Sequence, residues 1–179
     1  MVRRNIEVKV LKESGYEEAL LGLSLNKKKD VEKMARVLER LAPLGGGHNK
    51  ALAFIDVYLD IKACRHWWSQ ADTYIFFKPQ NSESTMHTIL DRELTQNDFA
   101  SDINEAYLNH LNTLLKAGEL NTLKDHLPEG FIQRRVVKTN YLALRNMISQ
   151  RKNHKMPDWK LFCDQIISNV SKPELLGVQ

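Results

Sequence analysis

The chain has 179 residues, about one domain's length, and 42% of them are hydrophobic, enough to bury a real core. Its 26 basic and 22 acidic residues give a net charge of +4 and are scattered along the sequence, which favours small anionic ligands over an extended nucleic acid. Cys64 and Cys163 make neither a metal motif nor a disulfide framework, and no apolar stretch approaches the ~20 residues of a membrane span.

With no signal-peptide apolar region behind Met1–Arg4, these features predict a soluble protein of a reducing, cytoplasmic compartment. Asn5–Leu11 alternates Ile6, Val8 and Val10 with Glu7 and Lys9, an edge-like strand. Tyr16–Leu25 reads as a short helix. Asp30 can cap the next one, Val31–Leu41, whose Met34, Val37, Leu38 and Leu41 form an apolar stripe. Gly45-Gly46-Gly47 then breaks the chain. Phe54–Lys62 sets Ile55, Val57, Leu59 and Ile61 on one face and Asp56, Tyr58, Asp60 and Lys62 on the other, a half-buried strand. His66–Tyr74 and Ile103–Lys116 read as helices, the second through Tyr107, Leu108, Leu111, Leu114 and Leu115. A short strand at Val136-Val137 leads into a helix over Thr139–Arg151, and Pro157 can start a last helix over Asp158–Ile167. The order predicts a single α+β domain spanning residues 1–179.

Four stretches can carry chemistry. Asn140 and Arg151 are eleven residues apart, about three turns at ~3.6 residues per turn, so an amide and a guanidinium share one helical face. Arginine suits phosphate because its fork donates two parallel hydrogen bonds. Gly45-Gly46-Gly47-His48 lets backbone N–H groups approach a phosphate, although it lacks the Lys-Ser/Thr of a P-loop. Asn81–His87 is dense in polar groups: Ser82 and Ser84 can bond a phosphate, and Glu83 and His87 can exchange protons. A polar turn with a helix cap accounts for the same residues. The aromatics Trp67, Trp68, Tyr74, Phe76 and Phe77 form a core, a subunit interface or a stacking platform. Adjacent on a helix, Trp67 and Trp68 are expected to split, one inward and one toward a ligand or partner.

The run LPEGFIQRRVVKTNYLALRNMISQR resembles the C-terminal signature of the flavin-dependent thymidylate synthase family. There a Leu-Pro leads through a short strand into an Asn-containing helix ending in an arginine. Asn140, Asn146 and Arg151 match, while Leu142 replaces the family arginine two residues after the first Asn. The family's Gly-His pair before a strand is matched by Gly47-His48, and Gln70 falls where a glutamine contacts the substrate base. Asn81 and Ser84 match its Asn-Glu-x-Ser-x-Arg-Tyr loop, with Ser82, Met86 and His87 in place of the Glu, Arg and Tyr. Its Arg-His-Arg motif falls near Thr73, Tyr74 and Ile75, and the Arg65-His66 pair lies about two turns too early. The resemblance implies Arg151 and Ser84 on the phosphate of a deoxypyrimidine nucleotide, Gln70 on its base, and His48, Asn140 and Asn146 on FAD. Glu83 and Ser84 are the implied catalytic pair. The implied reaction is transfer of a folate-borne one-carbon unit to C5 of the nucleotide, in a homotetramer whose sites form between subunits. The chain also resembles small bacteriophage-encoded proteins of uncharacterised function. The missing arginines leave two alternatives open: a non-catalytic nucleotide binder, or a protein that binds a host protein through Trp67 and Trp68.

Overall fold

Four antiparallel strands in the order β1-β2-β4-β3 carry the fold. They are β1 (Glu7–Ser14), β2 (Asp56–Cys64), β3 (Lys78–Ser82) and β4 (Ile132–Asn140). The computed structural model describes residues 6–25, 30–85 and 87–177, so Asn5 and Met86 lie outside it. The nine-residue strands β2 and β4 pair along their full length, from Asp56 opposite Asn140 to Cys64 opposite Ile132. The described residues add seven helices: α1 (Tyr16–Leu25), α2 (Met34–Leu41), α3 (Arg65–Ala71), α4 (Glu105–Lys116), α5 (Leu120–His126), α6 (Tyr141–Arg151) and α7 (Pro157–Asn169). The architecture is mixed α+β.

The alternation read in β2 decides which sheet face is covered. Val57, Leu59 and Ile61 are fully buried and join one core with Leu20 of α1, Leu38 of α2, Trp67 of α3, Leu144 of α6 and Phe162 of α7. A second cluster packs beneath α4 and α5, around Phe99, Leu111, Leu123 and Phe131. Expected and observed elements differ where local pattern is weak. Val31–Leu41 divides into a 3-10 turn at Val31–Lys33 and the helix α2. Asp30 makes no side-chain cap there and instead pairs with Lys33 at 2.8 Å. Residues Lys50–Phe54 form a 3-10 turn, so β2 starts at Asp56, later than expected. The short Val136-Val137 strand is the middle of β4, and Thr139 and Asn140 end that strand before α6 begins.

Gly15 makes the turn from β1 into α1 at φ +90°, and a Cβ there would meet the Phe54 carbonyl oxygen at 2.2 Å. Gly15→Ala therefore combines a positive φ costing ~1–3 kcal/mol with a clash against backbone that cannot swing away. Thermal unfolding checks this, with an expected fall of about 2–4 °C per kcal/mol lost. An unchanged melting temperature contradicts it.

On the uncovered sheet face, Asp60 is only 8% exposed and accepts two hydrogen bonds from Arg134, at 2.8 and 2.6 Å. The Arg134 hydrogen bonds hold its carboxyl below the usual carboxylate range. A depressed folded pKa means stabilisation that is complete above the unfolded value of about 3.9 and lost as pH falls through the folded value. Urea unfolding of Asp60→Asn against the parent should show a stability gap at pH 6 to 7 (roughly neutral conditions) that narrows below about pH 4. A gap constant across that range would contradict the ion pair's role.

Candidate functional site

Gln70 and Arg151, 81 residues apart in sequence, meet where the end of α3, the end of α6 and the start of α7 converge. The convergence is built on aromatic packing. Trp67 and Trp68 are 0% and 1% exposed, so neither turns outward as expected. Trp67 packs on Trp159 at 4.8 Å and on Phe162 at 5.2 Å between centroids, which fixes α3 against α7. Trp68 donates from Nε1 to the Gln133 carbonyl at 3.1 Å and carries the Arg135 guanidinium on its face at 4.4 Å. Two adjacent rings can both be buried because one faces the helices and the other faces β4.

Arg151 is held in place by neutral groups. Its Nε donates to the Tyr74 hydroxyl at 2.8 Å, and its Nη1 reaches Gln70 Oε1 at 3.5 Å. Its guanidinium lies 4.7 Å from the Trp159 ring centroid and 5.6 Å from that of Tyr74. Gln70 is oriented in turn: its Oε1 accepts from Trp159 Nε1 at 2.9 Å, and its Nε2 donates to Met156 Sδ at 2.9 Å. No carboxylate among the described residues pairs with Arg151. A half-buried cation over an indole, oriented by a phenol and with no carboxylate partner among the described residues, has the chemistry to receive an anion. Lys152 and Lys155 stand exposed just beyond it.

The other sequence candidates lie elsewhere. Asn140 is the N-cap of α6, its Oδ1 accepting from Ala143 N–H at 2.9 Å. That function places it at the opposite end of the helix from Arg151, about 16 Å away at ~1.5 Å per residue. One small planar ligand cannot span both. Asn146 is exposed on α6. His48, also exposed, lines a groove of about 880 Å³ between α1 and α2, together with Gly46, Gly47, Arg40, Lys50 and Phe54. Gly46 and Gly47 reach φ values of +64° and +84° there, which the glycine run permits. Glu83 is exposed, donates its N–H to the Arg134 carbonyl, and lines a separate small cavity with Thr85, Arg92 and Asp98. Half-buried Ser84 follows it, its carbonyl accepting from Thr88. Asn81 and Ser82, expected in a polar loop, belong to β3.

Both thiols are buried, and burial pushes Cys64 up to about 11 and Cys163 up to about 12. They stay protonated at neutral pH and supply no nucleophile. The Arg65-His66 pair is structural, Arg65 Nη1 donating to the Leu127 carbonyl at 2.9 Å and His66 lying beside Cys64 Sγ at 3.2 Å. Sequence reasoning missed Trp159 and Met156 as supports of the site. A tryptophan in the first turn after Pro157 was the available signal, but its partners are distant in sequence. No helix among the described residues is long and apolar enough to cross a membrane.

The whole chain has close structural counterparts. A flavin-dependent thymidylate synthase of Helicobacter pylori, complexed with FAD and dUMP, superposes with a TM-score of 0.82 at 13% identity, covering 95% of this chain and 97% of the other. The chain has the flavin-dependent thymidylate synthase fold. A second structure of the Helicobacter pylori enzyme with FAD and dUMP gives 0.80 at 14% identity, covering 93% and 94% of the two chains. A UMP/dUMP methylase from Streptomyces cacaoi bound with 5-Br dUMP gives 0.73 at 13% identity, covering 98% and 94%. No protein-family model matches the sequence, and neither does any curated protein.

Proposed function

We propose that this chain binds a deoxypyrimidine monophosphate, with Arg151 on the phosphate and Gln70 on the base. The observation that carries the reading is the half-buried Arg151 guanidinium, oriented by Tyr74 and Trp159, uncountered by any carboxylate among the described residues and adjacent to Gln70. The Helicobacter pylori and Streptomyces cacaoi structures of the same fold hold dUMP and 5-Br dUMP, which supports the choice of nucleotide. Ser84 and Glu83 do not join this seat within one chain. In a homotetramer they reach a nucleotide only across a subunit boundary, and that assembly is part of the proposal.

The flavin side is weaker. Thr73 donates its hydroxyl to the Gln70 carbonyl, the Tyr74 hydroxyl serves Arg151 and Gln150, and Ile75 is exposed and apolar. These three residues bring no cation to the places where the resembled family has Arg-His-Arg, and they do not fit a flavin diphosphate. His48, Asn140 and Asn146 remain as polar groups for FAD, and transfer of a folate-borne one-carbon unit depends on them. The test is calorimetric titration of the purified protein with dUMP, alongside its visible absorption after incubation with FAD and desalting. Saturable dUMP binding with a colourless protein is the expected pair of results. A failure to bind dUMP overturns the reading, and a retained flavin band moves it to the full thymidylate synthase chemistry.

A further inference from the structure

The lysines that look scattered in the sequence are gathered by strand register. Lys12 stands opposite Tyr58, Tyr58 opposite Lys138, and Lys138 opposite Lys78. The four residues therefore form one row across all four strands, about 14 Å long at ~4.8 Å per strand. The row lies on the sheet face away from the helices, since Val57 and Leu59, on either side of Tyr58, point into the core. A bulge between Val10 and Lys12 returns Lys12 to this face after the core-facing Val8. The Lys138 ammonium sits 5.8 Å from the Tyr58 ring centroid and 2.7 Å from Asp56. Lys12 and Lys78 are exposed and have no carboxylate partner among the described residues.

We infer that this open sheet face binds a single-stranded nucleic acid, with Tyr58 stacking one base and the lysines of its row holding the flanking phosphates. A four-stranded sheet bearing aromatic rings is a known platform for unstacked bases, and its width holds two or three nucleotides. Stacking on a ring tolerates any base, and cations on both sides of that ring supply the phosphate attraction. The charge balance of the row excludes a basic partner. The ring at its centre favours a nucleic acid over an acidic polypeptide, which has no base to stack. This surface is separate from the Gln70–Arg151 seat, which is built from helix ends on the covered side.

The test is fluorescence anisotropy of the full chain with a dye-labelled oligodeoxyuridylate and an oligouridylate, each about a dozen nucleotides long, between ~50 and ~200 mM salt. Binding should weaken linearly on a log–log salt plot. Lys12→Ala and Lys78→Ala should each flatten that slope by about 0.7. Tyr58→Ala should weaken binding about tenfold, and Tyr58→Phe should restore it, because stacking needs the ring and not the hydroxyl. Circular dichroism of each variant confirms that the sheet is intact. No binding at ~50 mM salt overturns the inference. Binding indifferent to Tyr58→Ala also overturns it, and so does polyglutamate competing as well as the oligonucleotide, because each marks an unselective cationic face. Preference for one of the two oligonucleotides assigns the sugar that the face accepts.

Discussion

Replacing Arg151 by alanine should weaken the proposed dUMP binding at least tenfold and leave the far-ultraviolet circular dichroism spectrum unchanged. A charge-assisted hydrogen bond is worth roughly 1.5–3 kcal/mol, and each 1.4 kcal/mol is a factor of ten in affinity. Arg151 can offer its fork to a phosphate because Nε is already committed to Tyr74 and the guanidinium plane lies on Trp159. The fold survives the change, since a half-exposed cation over an aromatic ring contributes only about 0.5–2 kcal/mol. Arg151→Lys separates charge from geometry. It keeps the cation but loses the fork and the Tyr74 hydrogen bond, so its affinity should fall between those of the parent and the alanine variant. Isothermal titration of the three proteins decides the matter, and equal affinities would remove Arg151 from the site.

Trp159→Ala should destabilise the protein by about 3–5 kcal/mol, the range for removing a large buried aromatic. The ring is fully buried and contacts Trp67, Phe162, Tyr74 and His154 at centroid distances of 4.8, 5.7, 6.1 and 6.4 Å. Its loss opens a cavity between α3 and α7 and leaves Gln70 Oε1 without its 2.9 Å donor. Against a total stability of ~5–15 kcal/mol this is a large fraction. Urea unfolding measures it, and a loss below ~1 kcal/mol would show that the aromatic cluster repacks freely. Trp159→Phe divides packing from orientation. It refills most of the space but cannot donate to Gln70, so stability should recover more fully than dUMP affinity does. If both recover together, the indole N–H has no part in positioning Gln70.

Helix ends and aromatic packing place this site, and that explains why a chain only 13–14% identical to the Helicobacter pylori enzyme can share its fold. What the two must keep is a pattern of burial, and many residue choices satisfy that. Residues 73–75 escape this constraint. Thr73 and Ile75 are exposed and Tyr74 holds Arg151, so residue type can vary at the two exposed positions without cost to the core.

The sequence by itself determined the elements whose burial is periodic. The bounds of α1 are those read from Tyr16–Leu25, α7 starts at Pro157 as expected, and the alternation in β2 names the buried face. These are local patterns, complete within about ten residues. It also carried the family resemblance through Leu127–Arg151 and the two residues, Gln70 and Arg151, that meet in space. Tertiary structure alone decided the rest. β3 (KPQNS) is exposed at every residue and has no alternation to read; it is a strand because its backbone pairs with β4. β4 is apolar only at Ile132 and Val136-Val137, since charged and polar residues occupy the rest of its length and its pairing with β2 supplies the order. Trp67 and Trp68 are both buried because α7 covers one and β4 the other. The row of Lys12, Tyr58, Lys138 and Lys78 comes from register across strands up to 126 positions apart, the separation of Lys12 and Lys138. Hydrogen-bond pairing between distant segments leaves no period in any one of them, so it becomes legible only when the sheet is assembled.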